Sequence, residues 1–180
     1  MHRISVVGNS GSGKSTVSRA VSDRLSLPYL ELDSVHHQPG WTFRPDDEMR
    51  EIVAGFVAGD GWVVDGNYTS NGVSEIVWSR ADTLVWLDLS RLLVTGRVIK
   101  RSLGRVITRE ELWSGNRERW GNLVDRRPEE NVILWSWTRH RHYREKYGAM
   151  SENATWDHLE VIRLRSRRKV VGFLDGLGYP

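Results

Sequence analysis

The chain has 180 residues, 39% of them hydrophobic and 27% charged, which suits one globular domain spanning 1–180. It contains no cysteine, so disulfides and thiolate metal sites are excluded. No apolar run approaches the roughly 20 residues that cross a bilayer, and the first residues carry no signal-peptide apolar region, so a cytoplasmic protein without membrane contact is expected. The net charge of +3 is unevenly placed: nine basic and four acidic residues between Arg97 and Arg127 make that stretch +5 and leave the remainder −2. A local positive excess suits a polyanionic partner, either nucleotide phosphates or a nucleic-acid backbone.

In chain order, Ile4 to Val7 reads as a buried strand that runs into glycines and then a helix from Lys14 to Leu25. Val17, Ala20, Val21 and Leu25 fall on one face of that helix. Tyr29 to Leu32 reads as a second strand. Pro45 to Ala58 reads as a helix, with Pro45 in its first turn and Asp46, Asp47 and Glu48 complementing its N-terminal dipole. Trp62 to Val64 is a third strand, Gly72 to Trp78 a short helix and Thr83 to Leu89 a fourth strand. A helix capped by Ser90 then runs to about Leu103. Residues 104–127 are charged and weakly periodic. Pro128 is expected to open a helix to about Tyr147, with Glu129 and Glu130 in its first turn. Leu159 to Leu164 is a last strand, and Ser166 caps a helix ending near Gly176. Strands alternating with helices predict a three-layer α/β fold around a parallel sheet.

Gly8-Asn9-Ser10-Gly11-Ser12-Gly13-Lys14-Ser15 matches the phosphate-binding pattern G-x-x-x-x-G-K-[ST] completely. The glycines let the backbone turn its N–H groups inward onto phosphate oxygens, and the helix start adds its positive dipole end. The Lys14 ammonium can reach the β- and γ-phosphates and the Ser15 hydroxyl can ligate Mg²⁺, with Thr16 following in the same turn. The motif therefore predicts a bound nucleoside triphosphate, ATP, together with Mg²⁺. Ligands in open α/β sheets sit at the carboxyl ends of strands, where Asp33 and Asp65 fall. One could accept a proton from an attacking hydroxyl, and either could hold Mg²⁺ through water.

The P-loop, the element from Asp33 to Pro39-Gly40-Trp41 and the run Val64-Asp65-Gly66-Asn67-Tyr68 together resemble the adenylate-kinase-like P-loop kinases. The run Thr108-Arg109-Glu110-Glu111-Leu112-Trp113, with Gly115-Asn116-Arg117-Glu118, is similar to the topology-modulation (FlaR-type) branch. The resemblance implies a P-loop NTPase of nucleoside-monophosphate-kinase type, with a five-stranded parallel sheet in the order 2-3-1-4-5. It also implies an acceptor-binding segment at about 34–60 and an arginine-bearing lid at about 104–127. On this reading the chain moves the γ-phosphoryl group of ATP to a nucleotide or other small-molecule acceptor. Lys14, Asp33 and the lid arginines Arg101, Arg105 and Arg109 are then catalytic, with Arg117, Arg139 and Arg141 as further phosphate candidates. Asp65 supports the metal through water, and Arg165 with Ser166 lies against the adenine. The adenylate kinases continue their third strand as Asp-Gly-Phe-Pro-Arg. Here Asn67-Tyr68 replaces the phenylalanine and the proline-arginine pair, so the acceptor need not be AMP.

A second reading is an ATP-dependent regulator or nucleic-acid-binding, DNA topology-modulating P-loop protein without kinase turnover, motivated by the basic stretch. Of nine tryptophans, Trp62, Trp78 and Trp86 are expected in the core, while Trp41 could stack on a flat acceptor ring. His36 and His37 are expected as surface loop residues.

Overall fold

The computed structural model describes residues 1–128, 130–150 and 156–178. Five strands form one all-parallel sheet: β1 (Arg3–Gly8), β2 (Tyr29–Glu31), β3 (Trp62–Asp65), β4 (Thr83–Leu87) and β5 (Glu160–Leu164). Their order is β2-β3-β1-β4-β5, as the resemblance to the adenylate-kinase-like kinases implied. The helices are α1 (Lys14–Leu25), α2 (Leu32–His36), α3 (Asp46–Phe56), α4 (Val73–Trp78), α5 (Arg91–Thr108), α6 (Trp120–Val124), α7 (Val132–Met150) and α8 (Arg167–Gly176).

Side chains alternate across a strand, and here both faces are covered, which is why the strands read as nearly continuous apolar runs. Ile4, Val6, Val63, Val85 and Leu87 point to one side, into a core shared with Val17 and Val21 of α1 and Leu164 of β5. Val7, Trp62, Val64, Leu84 and Trp86 point to the other, against Met49 and Val53 of α3, Val77 of α4, and Tyr143 and Tyr147 of α7. The core tryptophans keep their indole N–H groups satisfied, Trp62 donating to the Val57 carbonyl at 3.2 Å and Trp78 to Ser5 Oγ at 3.2 Å.

α3 stops at Phe56, short of Ala58, and β4 at Leu87, short of Leu89; four further boundaries differ from the sequence reading for a local reason. β2 stops at Glu31, and Leu32 and Asp33 begin the short α2, so Asp33 sits on a helical turn and not at a strand end. Pro45 is the N-cap of α3 in extended conformation, not part of its first turn. α5 runs five residues beyond Leu103, because Val106 continues the buried stripe of Val94, Val98 and Ser102 through Gly104. α7 begins at Val132 and not Pro128, since Asn131 caps it: its Oδ1 accepts from the N–H groups of Ile133 (3.0 Å) and Leu134 (3.1 Å). Glu130 therefore lies in a turn before the helix, and Glu129 is outside the described residues.

β1 is flanked by β3 and β4, so the chain leaves its carboxyl end in one direction and its neighbours' in the other. That crevice is where an open α/β sheet takes a ligand.

Candidate phosphoryl-transfer site

The loop between β1 and α1 is held open by its backbone. Gly11 has φ +78°, and a Cβ there would lie 2.3 Å from the Val94 carbonyl oxygen, so no side chain fits. Three neighbours brace the loop. Asn67, just past β3, donates to the Gly8 carbonyl at 2.6 Å and accepts from the Gly8 N–H at 3.3 Å; its Oδ1 also takes a bond from Tyr147 Oη at 2.8 Å. Asn9 donates to the Ser136 carbonyl at 2.7 Å, and Ser136 Oγ donates back to the Ser10 carbonyl at 3.2 Å. Arg97 of α5 reaches the Ser12 carbonyl at 3.5 Å. Ser12 Oγ is buried with no hydrogen-bond partner among the described residues.

Lys14 opens α1 and its ammonium rests 3.4 Å from the Asn9 carbonyl oxygen. Burial lowers its pKa from the ordinary value, Asp65, Asp33 and Glu31 pull it back up, and Arg101 adds to the fall. The groups acting on Lys14 define the site: three carboxylates and one arginine from four different elements. Asp65 is 2% exposed and accepts from Tyr29 Oη at 2.8 Å. Burial pushes its carboxyl up to about 6, with Lys14 and the Tyr29 hydrogen bond opposing the rise. Asp33 accepts from Tyr68 Oη at 2.7 Å, which orients its carboxylate.

Glu31 was missed in the sequence, yet it belongs here. The β2–β3 register sets it directly beside Asp65, and its Oε1 accepts from Ser15 Oγ at 2.8 Å. The signal was present: the last residue of a strand next to the P-loop strand pair faces the same crevice as its registered partner. Asn67 and Ser136 were also missed, because their roles are hydrogen bonds to backbone across long sequence distances.

The arginine candidates separate. Arg101 acts on both Lys14 and Asp33. Arg105 is paired with Glu118 at 3.1 Å and Glu110 at 3.6 Å. Arg109 is the left-handed C-cap of α5 and lines a cleft of about 340 Å³ with Arg117, Glu118 and Trp120. Arg117 pairs with Glu111, and Arg141 with Glu145, on exposed surface. Arg139 lies over the Trp135 ring, 4.5 Å from its centroid. Arg165 joins Arg144 and Arg163 around the buried Asp88 just beyond β4. Thr16 is exposed on α1.

Above the site two loops of like shape clasp each other. His37 bridges Phe43 and Glu111 bridges Arg117, and each bridge encloses a 3-10 turn, Pro39–Trp41 and Trp113–Gly115. Asn116 Oδ1 accepts from the Trp41 N–H at 2.9 Å and its amide donates to the Gln38 carbonyl at 2.8 Å. Ser114 Oγ donates to the His37 carbonyl at 2.7 Å, and Trp41 Nε1 donates to the Arg117 carbonyl at 3.2 Å. His37 stacks on Trp113 with centroids 5.3 Å apart. His36 and His37 are thus half-buried in an aromatic cluster and not surface residues, because Phe43, Tyr68, Trp41 and Trp113 close around them. Trp41 spends its N–H groups on the clasp.

The residues suit Mg²⁺. Among the described residues no group of three or more His, Asp or Glu forms a self-contained cation cage. A hydroxyl on Ser15 with Glu31 and Asp65 nearby is instead the oxygen set Mg²⁺ takes when phosphate oxygens and water complete its shell. Also among the described residues, no helix is long and apolar enough to cross a membrane.

Known proteins carry the same fold. A gluconokinase from Sinorhizobium meliloti 1021 aligns over 98% of this chain and 93% of its own at 17% identity and a TM-score of 0.50. A shikimate kinase from Bacteroides thetaiotaomicron aligns over 98% and 95% at 12% identity and 0.52. A deoxyadenosine kinase from M. mycoides, with bound dATP, aligns over 97% and 98% at 14% identity and 0.51. Likeness at these identities shows the fold alone, the layered α/β arrangement that these kinases share. In sequence, two cytidylate kinases from Nitratidesulfovibrio vulgaris are 37% and 35% identical over 60 residues, which is 30% of this chain and about a quarter (26%) of theirs. No protein-family model matches the chain.

Proposed function

We propose that this chain is a Mg²⁺- and ATP-dependent phosphotransferase that moves the γ-phosphoryl group to the hydroxyl or phosphate oxygen of a small-molecule acceptor. The observation that carries the proposal is the convergence of Lys14, Ser15, Asp33, Glu31, Asp65 and Arg101 at the carboxyl ends of β1, β2 and β3. A pure phosphate-binding loop has no use for three carboxylates beside its lysine. Phosphoryl transfer does, for metal support and proton acceptance.

In the proposed reaction the loop backbone and Lys14 hold the β- and γ-phosphates, whose charge favours the ammonium form of Lys14 against its burial. Ser15 would hold Mg²⁺ directly, with Asp65 and Glu31 binding its water shell; when bound, the metal neutralises phosphate charge. The acceptor oxygen forms a bond to the γ-phosphorus while the bond to the β–γ bridging oxygen breaks and ADP departs. Asp33, oriented by Tyr68, takes the hydroxyl proton. Arg101 neutralises charge spread over the transferring group. Arg105 and Arg109 join it when the 104–127 segment shifts as a lid, which requires Arg105 to exchange Glu118 for phosphate. The finer likeness to the topology-modulation (FlaR-type) branch, a cytoplasmic location and the division into one domain with two mobile segments belong to this proposal.

The regulator or nucleic-acid reading has less support. Arg105, Arg117 and Arg127 each face a carboxylate within 3.6 Å, so three of the nine cations in the basic stretch are already paired within the fold. Mg²⁺-ATP turnover by the wild type and by Lys14→Ala, with and without acceptors, decides the matter. Loss of about 10²–10³ in acceptor-stimulated turnover is expected for the variant; full retention would overturn the assignment.

A further inference from the structure

The 34–60 segment, which follows Asp33, contains two arginines, no lysine and five carboxylates: Asp46, Asp47, Glu48 and Glu51 on α3, and Asp60, which lies with His2 and Arg3 at the opposite end of the sheet. With its histidines neutral it carries −3. Both arginines are committed to the fold. Arg44 Nε donates to the Val35 carbonyl at 2.8 Å and its guanidinium pairs with Glu48 at 3.4 Å. Arg50 donates to the Asn71 carbonyl at 3.0 Å, tying α3 to the turn before α4. Each bond uses part of the five-donor fork of its guanidinium and fixes the direction in which the remaining N–H groups point.

The start of the segment is aromatic and uncharged. His36 stacks on Phe43 with centroids 4.7 Å apart and lies 4.8 Å from the Tyr68 ring. Burial lowers the pKa of both His36 and His37, so near neutral pH these rings offer hydrogen bonds and apolar faces without fixed charge. The cations close to Asp33, Lys14 and Arg101, and the lid's Arg105 and Arg109, are the ones assigned to the transferring phosphoryl group. A phosphomonoester acceptor would bring about −1.5 to −2 more charge among Asp33, Glu31 and Asp65.

Resting on the phosphotransferase reading, we infer that the acceptor is an uncharged, hydroxyl-bearing small molecule. It is an alcohol of the sugar, polyol or nucleoside kind, and it carries neither phosphate nor carboxylate. Its hydroxyl meets Asp33, and its body packs against Tyr68 and the histidine–Phe43 stack. This narrows the acceptor from nucleotides and alcohols together to neutral alcohols.

The test is the initial rate of ADP formation from Mg²⁺-ATP with three matched panels: nucleosides, hexoses and polyols; the monophosphates of the same compounds; and hydroxy acids. The expected result is stimulation by a neutral compound, with its monophosphate and the hydroxy acids lower in kcat/KM by roughly 100-fold or more. A monophosphate or hydroxy acid equal to or better than every neutral compound overturns the inference and leaves the kinase reading standing. Stimulated turnover that survives Lys14→Ala overturns the kinase reading on its own. Silence from all three panels, with ATP still bound, overturns both. Arg44→Gln gives a second measurement: a lower melting temperature with an unchanged ratio of neutral to phosphorylated rates is expected. A raised KM confined to phosphorylated acceptors, at unchanged melting temperature, would show Arg44 to be a phosphate ligand and overturn the inference.

Discussion

The phosphate loop and the clasp above it are both built from glycine-bearing turns held by asparagines, yet they are held differently. The loop is braced from beneath by the buried Asn9 and by Asn67, in bonds that also involve Tyr147 and Ser136 of α7. The clasp joins two surface loops: Asn116 at its centre is as buried as Asn9, but two of the four joining bonds, those of Ser114 and the Trp41 indole, are exposed. A site that handles a triphosphate needs a rigid floor, because misplacing donor groups costs catalysis. It also needs a roof that opens, because ATP and product must enter and leave. The difference shows that the same residue type, asparagine bonded to backbone, serves permanence where its companion bonds are shielded and release where half of them are exposed.

Breaking the floor should be felt throughout the fold. Asn67→Ala leaves the Gly8 carbonyl and the Tyr147 hydroxyl without their partner, and a loss of about 2–4 kcal/mol in unfolding free energy is expected, with ATP binding weakened in parallel. Urea denaturation and nucleotide titration measure both; an unchanged midpoint would remove Asn67 from the floor.

Asp65 sharpens the same contrast through pH. Its carboxyl is held at about 6 against an ordinary 3.8, so the folded chain binds that proton more tightly than the unfolded chain does. The group's contribution is therefore fully present below about pH 4 and lost as pH rises through about 6. Asp65→Asn removes the penalty. Its stability relative to wild type should improve by on the order of 2–3 kcal/mol between pH 4 and pH 7, read from paired urea midpoints. A difference that does not vary with pH would mean that Asp65 is not desolvated in the folded chain.

The roof should answer in the opposite way. Asn116→Ala releases the Trp41 N–H and the Gln38 carbonyl in a part-buried setting while the exposed rim bonds remain, so a stability loss of about 1–2 kcal/mol is expected, smaller than for Asn67→Ala. Turnover with acceptor should fall roughly 10-fold while ATP hydrolysis without acceptor rises, since an open roof admits water. If stability fell as far as in Asn67→Ala, the two regions would not differ as described. Ser114→Ala, which removes one rim bond, should give the smallest effect, about 2- to 3-fold in turnover.

The strands, the P-loop and α1 from Lys14 to Leu25 were legible because each rests on a local pattern: apolar runs, a glycine spacing, a stripe at helical period; the strand order came from the family resemblance. Glu31 was not, because a polar residue ending a three-residue strand has no period to betray it; only the register with Asp65 does. The short α2 is below the length at which periodicity can be read, so Asp33 was assigned to a strand end. The run to Thr108 in α5 was hidden by Gly104 and by arginines on the exposed face. The Asn131 cap was masked by Pro128, a stronger start signal three residues too early. Lys14 and Asp65 fell where the sequence put them, whereas the lid arginines separated once Glu110 and Glu118 were seen to occupy Arg105.

The clasp also bears on how the chain folds. Each of its loops closes on itself within seven residues, through Gln38 N–H to the Thr42 carbonyl and Leu112 N–H to the Asn116 carbonyl. The bonds that join the two span 75 to 78 residues of sequence. Loops this local can form early, but joining them must wait until the sheet has brought α2 and α5 together. The joining bonds are therefore made after the folding barrier, and weakening them should accelerate unfolding while leaving the refolding rate unchanged.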